Sequence, residues 1–230
     1  MKSLKEHVLQ TKNRLYILLY FPMYLLCFFL LENRNIPLSE YMIVHTKWDD
    51  MIPFCEYFVI PYFFWFVYMG IGLVIAYLEK DGRNYYLTCL NLFTGMTVFL
   101  VVSALIPNRD LLRPEVFPRD NLCSTLVGFL YKIDTATNLF PSIHVFNSIA
   151  IHTCICKCQR FQDRPRYKWA SFVVMCSIIL ATLFLKQHSV FDVVTGMLMS
   201  AVLYVFIYHV VDHQILTAME KYDKNMILSE

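Results

Sequence analysis

Residues 55–78 read CEYFVIPYFFWFVYMGIGLVIAYL. One charged side chain, Glu56, stands at the leading edge; everything after it is aliphatic, aromatic or small. About 20 apolar residues in a helix cross a hydrocarbon layer. A helix apolar on every side has no stripe to turn toward a soluble core. The stretch therefore predicts a transmembrane helix, and the same reading extends both ways. Further apolar runs occupy Leu15–Leu31, Tyr85–Ile106, Ile143–Cys156, Trp169–Leu185 and Val190–Val211. The chain is 57% hydrophobic and 16% aromatic, with a mean hydropathy of +0.48. That composition belongs to membrane proteins before soluble ones. The predicted fold is all-α, a six-helix transmembrane bundle. Its fourth run is short when ended at Cys156, and is expected to continue into the basic stretch that follows. A soluble helical core, the alternative, needs amphipathic stripes these runs lack.

Orientation follows from Lys and Arg in the loops. With the N-terminus in the cytoplasm, segments 1–14, 79–84, 157–168 and 212–230 carry 13 of the 20 basic residues. Both termini are thus predicted cytoplasmic. The first run resembles a signal peptide in its basic flank. No small-residue cleavage site follows it, and Glu32-Asn33-Arg34-Asn35 comes next, so an uncleaved helix is expected. No Gly/Ser linker divides the chain. We read one membrane domain over 1–230: helices one to three in 1–106, a catalytic half with helices four to six in 107–211, and a tail in 212–230. The halves share no motif, so an inverted-repeat transporter is not indicated. A net charge of +2 implies no nucleic-acid partner, and topology alone accounts for the basic loop 157–168.

Eight cysteines are scattered, most inside apolar runs where a thiol packs as a small soft hydrophobe. Cys154, Cys156 and Cys158 cluster with His152 near the cytoplasmic end of the fourth run. Unligated thiols, acylation and a metal site are the three readings, although tetrahedral sites use wider spacings and a second ligand pair. No metal and no cofactor are expected. The first outer loop, 32–54, reads as a short amphipathic segment at the interface. Its Asp49 and Asp50, with Glu56, fit a solvated loop and an acid-rich helix start better than metal ligands.

The chemistry lies at the other helix starts. Pro141-Ser142-Ile143-His144 opens the fourth run, and His188 precedes Asp192 by one helical turn. A titratable group at a membrane boundary is costly without a partner or a task. A helix start offers free N–H groups and a positive dipole end, suited to an anion. Ser142 suits a cap there or a donor to a phosphate oxygen. Asp192 can accept from one His188 nitrogen and leave the other free as a nucleophile. Arg113, Lys186, Arg109 and Arg119 are predicted on the same outer side, and guanidinium groups match phosphate oxygens. Two histidines, an orienting acid and cations suit phosphoryl transfer without a metal. His152 and His209 read as satisfied core residues. A serine hydrolase built on Ser142, His188 and Asp192 is the competing interpretation, but it leaves His144 and the cations unused and lacks a Gly-x-Ser-x-Gly elbow.

These residues resemble the type 2 phosphatidic acid phosphatase superfamily, whose motifs are Lys-x6-Arg-Pro, Pro-Ser-Gly-His and Ser-Arg-x5-His-x3-Asp. Leu112-Arg113-Pro114 resembles the end of the first, Pro141-Ser142-Ile143-His144 the second, and His188–Asp192 the end of the third. Ile106 stands where the motif has Lys, Ile143 where it has Gly, and Ala181-Thr182 where it has Ser-Arg. The pattern is that of a divergent branch, similar also to the sphingomyelin and inositol-phosphorylceramide synthases. The resemblance implies that His188 forms a phosphohistidine, Asp192 orients it, and His144 protonates the leaving oxygen and then activates water. Arg113, Lys186, Ser142 and the helix-start N–H groups around Ile143 would hold the phosphate, with Arg109 or Arg119 replacing a missing cation. The implied protein is a metal-independent lipid phosphatase of the cell membrane. It would act on a lipid phosphate or diphosphate at the extracytoplasmic face. A phosphotransferase with an alcohol acceptor and a non-catalytic transporter or scaffold are the alternatives.

Overall fold

A computed structural model describes residues 14–79, 82–214 and 216–217. Its helices are α1 (Arg14–Ile17), α2 (Tyr20–Glu32), α3 (Lys47–Met51), α4 (Val59–Tyr77), α5 (Arg83–Leu105), α6 (Leu122–Ile133), α7 (Ile143–Lys157), α8 (Pro165–Phe184) and α9 (Val190–Val205). A π-helical stretch, Phe206–Val211, extends α9. Strands β1 (Met42–Ile43) and β2 (Asn108–Arg109) pair in parallel and tie the two long loops together. The segments read as cytoplasmic ends, 1–14 and 212–230, lie mostly outside the described residues.

Among the described residues, five helical segments are long and apolar enough to cross a membrane: Arg14–Glu32, Glu56–Tyr77, Arg83–Leu105, Pro165–Phe184 and Val190–Gln214. The sixth expected span needs correcting. α7 has 15 residues and stops at Lys157, where Cys158 turns extended and a 3-10 turn follows. It does not continue into the basic stretch. At about 1.5 Å per residue it falls short of a hydrocarbon core. α7 instead forms the axis of the bundle, packed by α4, α5, α8 and α9. That enclosure accommodates its polar residues: Asn147 and Ser148 are buried among protein atoms, not lipid.

Three glycines seat α7: Gly72 of α4 against Ile151, and two that flank His144. A Cβ on Gly95 of α5 would lie 2.1 Å from the Phe146 ring, and one on Gly196 of α9 would lie 2.8 Å from the Ser142 carbonyl oxygen. Small residues let helix backbones approach in this way. Because Ser142 and Phe146 bracket His144, the two notches also fix where that imidazole stands.

The outer loops differ from the sequence reading in two respects. The stretch 107–139, read as loop, contains α6. Asn121 caps it by accepting from the Ser124 N–H at 3.0 Å, and it buries Val127 and Leu130 while exposing Phe129 and Ile133. The acids Asp49 and Glu56, read as solvated, are 2% and 0% exposed. Glu56 accepts from Arg119 at 3.0 Å and from Asn121 at 2.9 Å. Asp49 is bound at the start of α9, as described next.

Candidate active site

α7 and α9 begin side by side. Ser142 caps α7, its hydroxyl accepting from the Val145 N–H at 3.4 Å, while its own N–H donates to the Asp192 carbonyl at 3.1 Å. His144 projects from the first turn. His188 lies in the short link from α8 to α9, where the N–H groups of Gln187 and His188 both donate to the Thr182 carbonyl, at 2.9 and 3.1 Å. This fold-back turns His188 toward α7. His144 Nδ1 and His188 Nε2 stand 3.3 Å apart.

On its other side, His188 Nδ1 lies 3.5 Å from Asp192 Oδ2. That distance is longer than a good hydrogen bond, and among the described residues His188 Nδ1 and Asp192 Oδ1, both buried, have no hydrogen-bond partner. Oδ2 is held instead by the Ser189 N–H at 2.9 Å, in the capping box of α9. The two histidines and Asp192 therefore form one line, His144–His188–Asp192, with the acid preset by the helix cap.

Asp49 reaches the same helix start from the first loop. Its Oδ1 accepts from the Val190 N–H at 2.7 Å and its Oδ2 from the Ser189 hydroxyl at 2.6 Å. Oδ2 also accepts from the Thr46 N–H at 2.7 Å. Burial pushes the Asp49 carboxyl up, but the hydrogen bonds from Ser189, Val190 and Thr46 outweigh it and hold the group below its ordinary range. Nothing in the sequence pairs Asp49 with a site 140 residues away.

The cations expected around the phosphate take different places. Arg113 donates to the Tyr131 carbonyl at 3.1 Å, the Asp134 carbonyl at 2.7 Å and Gln187 Oε1 at 2.6 Å, and lies over the Tyr131 ring. It thus sits directly behind Gln187. Lys186, with φ +53°, turns away and donates to the carbonyls of Asp49 and Ile52, at 2.6 and 2.5 Å. It lines a separate outer groove with His45, Asp50 and Leu112. Arg119 pairs with Glu56, and Arg109 lies in β2 beside Thr137.

A cavity of about 250 Å³ opens beside the histidine pair. Its polar lining includes Asp134, Thr137, Asn138, Gln187, His144 and His188; Ile143, Tyr24, Phe28, Tyr62, Phe63, Trp65, Phe66 and Phe99 line it as well. Trp65 and Tyr62 stand against the His144 ring, with centroids 4.5 and 4.9 Å away. The Tyr62 hydroxyl donates to Asp134 Oδ2 at 2.5 Å. Gln187, 1% exposed, gives its carbonyl to Arg113 and, among the described residues, has no partner at Nε2.

One buried acid escaped the sequence reading altogether. Asp110 is 2% exposed; its Oδ1 accepts from the Leu112 N–H at 3.3 Å and its Oδ2 has no partner among the described residues. Burial pushes this carboxyl up to about 7, against the pull of His188 and Arg113. A carboxyl raised on folding binds more protons in the native state than in the unfolded one, so stability falls as pH rises through that interval. Thermal unfolding in detergent should show a Tm that declines from pH 5 to pH 8. Asp110→Asn should flatten that decline; an unchanged slope would place the titration elsewhere.

Among the described residues, no group of three or more His, Cys, Asp or Glu is arranged to hold a metal. In the cysteine cluster, Cys156 Sγ approaches His152 Nε2 at 3.5 Å, while Cys154 turns to the Gly72 carbonyl. All eight cysteines are free thiols.

Fold and site together define an integral membrane protein with a histidine pair at the helix starts, His188 buried and His144 half-buried. The profile of the PAP2 superfamily matches residues 84–216, more than half of the chain. The chain belongs to that superfamily, whose members are membrane proteins of phosphatase or phosphotransferase type. No curated protein and no solved structure matches it. The matched region runs from α5 past α9 and contains both histidines and Asp192. Tyr62, Trp65 and Asp49 lie before it.

Proposed function

We propose that this protein is a lipid phosphatase of the cell membrane. It hydrolyses a lipid phosphate or diphosphate through a phosphohistidine on His188. The observation that carries the reading is the His144–His188–Asp192 line at the wall of an apolar cavity. Asp192 faces Nδ1 of His188 and favours the tautomer whose Nε2 lone pair points at the cavity. Nε2 attacks phosphorus, and the bond from phosphorus to the lipid oxygen breaks as His144 delivers a proton to that oxygen. His144 then takes a proton from water, which releases phosphate from His188. The Gln187 amide, polarised by Arg113 on its carbonyl, donates from Nε2 to a phosphate oxygen. The positive-inside count supports an extracytoplasmic site.

Lipid access is supported by the cavity wall itself. Leu25, Phe66 and Ile133 line the cavity and are 61%, 60% and 61% exposed on the outside of the bundle. In a membrane these positions face acyl chains. The same apolar lining favours a second reading, transfer of the phosphoryl group to a lipid alcohol.

The test is phosphate release by purified protein from phosphatidate and from a polyprenyl diphosphate in mixed micelles, with and without chelator. Release that persists in chelator is the expected result. A labelled diacylglycerol added to the same assay separates the readings: label in a phosphorylated product marks transfer. Neither phosphate nor labelled product from either lipid would overturn the proposal.

A further inference from the structure

The end of the bundle opposite the histidines holds a second cavity, of about 220 Å³. α7 links the two: it begins beside His144 and ends at Lys157, and its 15 residues put those ends roughly 20 Å apart. The start of α5 supplies Arg83 and Asn84 to the wall, and the end of α7 supplies Lys157. Tyr208, within the π-helical stretch, and Asp212, just past it, face them across the space. A π-helical turn is rare and is found mostly at functional sites.

The acids of this cavity are engaged. Asp212 takes two hydrogen bonds from Arg83, at 2.8 and 2.5 Å. Glu79 accepts from the Asn84 amide at 2.9 Å and the Gln159 N–H at 2.7 Å, and Arg14 stands behind it, donating to its backbone carbonyl at 2.9 Å. Lys157 is placed differently. Its Nζ lies over the Tyr208 and Tyr204 rings, 4.8 and 5.1 Å from their centroids. Among the described residues no carboxylate pairs with it. Ring faces hold an ammonium in place and leave its other N–H donors to an oxygen. Arg14, Arg83 and Lys157 against Glu79 and Asp212 leave one positive charge in surplus among the described residues. Two lining side chains also carry a buried polar atom with no partner among the described residues: the hydroxyl of Tyr208, which is 6% exposed, and Asn84 Oδ1. Such atoms are costly unless something bonds to them. One needs an acceptor and the other a donor.

We infer that this cavity is a binding site for a phosphate group that bears or adjoins a hydroxyl, separate from the histidine line. Phosphate oxygens meet Lys157 and the Tyr208 hydroxyl, and the ligand's own O–H donates to Asn84 Oδ1. Two sources share that chemistry: the headgroup of an anionic phospholipid such as phosphatidylglycerol, and inorganic phosphate as its monoanion. Position favours the lipid. Leu90 on α5, and Phe206 and Val210 on the π-helical stretch, are exposed where acyl chains would lie. An anionic leaflet surface draws Lys and Arg to it. The site makes no use of His144 or His188, so it stands whether or not the protein is a phosphatase.

The experiment follows thermal unfolding of the full chain in phosphatidylcholine nanodiscs. One arm adds phosphatidylglycerol to the discs; the other adds inorganic phosphate, with chloride at equal ionic strength as its reference. A ligand that binds only the folded protein raises Tm. Wild type and His188→Ala should show the same rise, because the anion sits at the far end of α7. Lys157→Gln should lose the rise, with affinity in a titration weakened by about tenfold or more, the scale of one charge-assisted hydrogen bond. Lys157→Arg keeps the charge and should keep most of the effect. Each rise is read against the same variant without ligand, so a change in basal stability does not enter. A rise with the lipid alone assigns the headgroup; a rise with inorganic phosphate as well assigns the phosphate group itself. No rise in either arm, or a rise that Lys157→Gln retains, overturns the inference. A rise that His188→Ala abolishes would place the anion in the histidine cavity and overturn it too.

Discussion

His188→Ala is expected to reduce turnover to the background level, with the helical fold intact. The argument is positional. Nε2 of His188 is the nitrogen at the centre of the line, 3.3 Å from His144 on one side, with Asp192 behind the same ring. His144 is not placed to take over as nucleophile: among the described residues no carboxylate pairs with its ring as Asp192 pairs with that of His188. Among the described residues, His188, Tyr62 and Trp65 stand against the His144 ring. Loss of a nucleophile in a set that works as a unit costs on the order of 10⁶ in kcat. Rapid acid-free quench after labelled substrate should trap phosphate on the wild-type protein and none on the variant. His152→Ala serves as the control. That residue lies two turns along α7, bonded to Ser171 at 2.9 Å, and its loss should leave turnover close to wild type. Retention of more than about a hundredth of wild-type activity in His188→Ala would rule out a nucleophilic role.

The sequence carried the parts of this site that depend on local pattern. Apolar length identified the helices now described as α2, α4, α5, α8 and α9. The i, i+4 spacing of His188 and Asp192 identified the pair at the start of the last of them, with His188 just ahead of its first turn. α7 was harder, because its end is set by contacts: α4, α5, α8 and α9 enclose it, so its length answers to the bundle and not to the bilayer. α6 was hidden by its setting, a short amphipathic helix between a Pro-rich stretch and a polar one, with Asn121 as its local signal. The charges were the least legible. Lys186 and Arg113 sit next to the motif residues in sequence, yet one turns to the Asp49 and Ile52 carbonyls and the other passes behind Gln187. Proximity in sequence says which residues can reach a site; competing acceptors supplied by distant loops decide which do. Asp49, Asp110 and Asp134 show the complement. Each is unremarkable in its own segment and matters only because the loops close over α9.

Asp49 is where that closure has its largest expected effect after His188. The start of α9 must hold the Asp192 carboxylate and His188 in register, and Asp49 contributes two hydrogen bonds to it from another segment. Asp49→Ala leaves the Val190 N–H and the Ser189 hydroxyl without acceptors in a buried place. Loss of a cap and desolvated donors should cost about 2–3 kcal/mol of stability. The pH dependence has a definite sign. Hydrogen bonding holds the Asp49 carboxyl below 3.8, so its contribution is present at neutral pH and disappears as pH falls through that lowered value. The Tm gap between wild type and Asp49→Ala should therefore be full at pH 7 and narrow only under strongly acid conditions. Activity distinguishes positioning from bulk stability. Asp49 does not line the cavity, so lipid binding should survive while the line of His188 and Asp192 loosens. A displacement of about 1 Å at a reacting group costs on the order of 10² in rate. We therefore expect kcat to fall by about that factor with KM nearly unchanged. Asp49→Asn keeps an acceptor for Val190 and a polar partner for Ser189, and should recover much of the loss. A fall in KM and kcat together, or no recovery with asparagine, would reduce Asp49 to a general prop of the first loop. The expected split would make the first loop, outside the matched family region, a working part of the catalytic helix start.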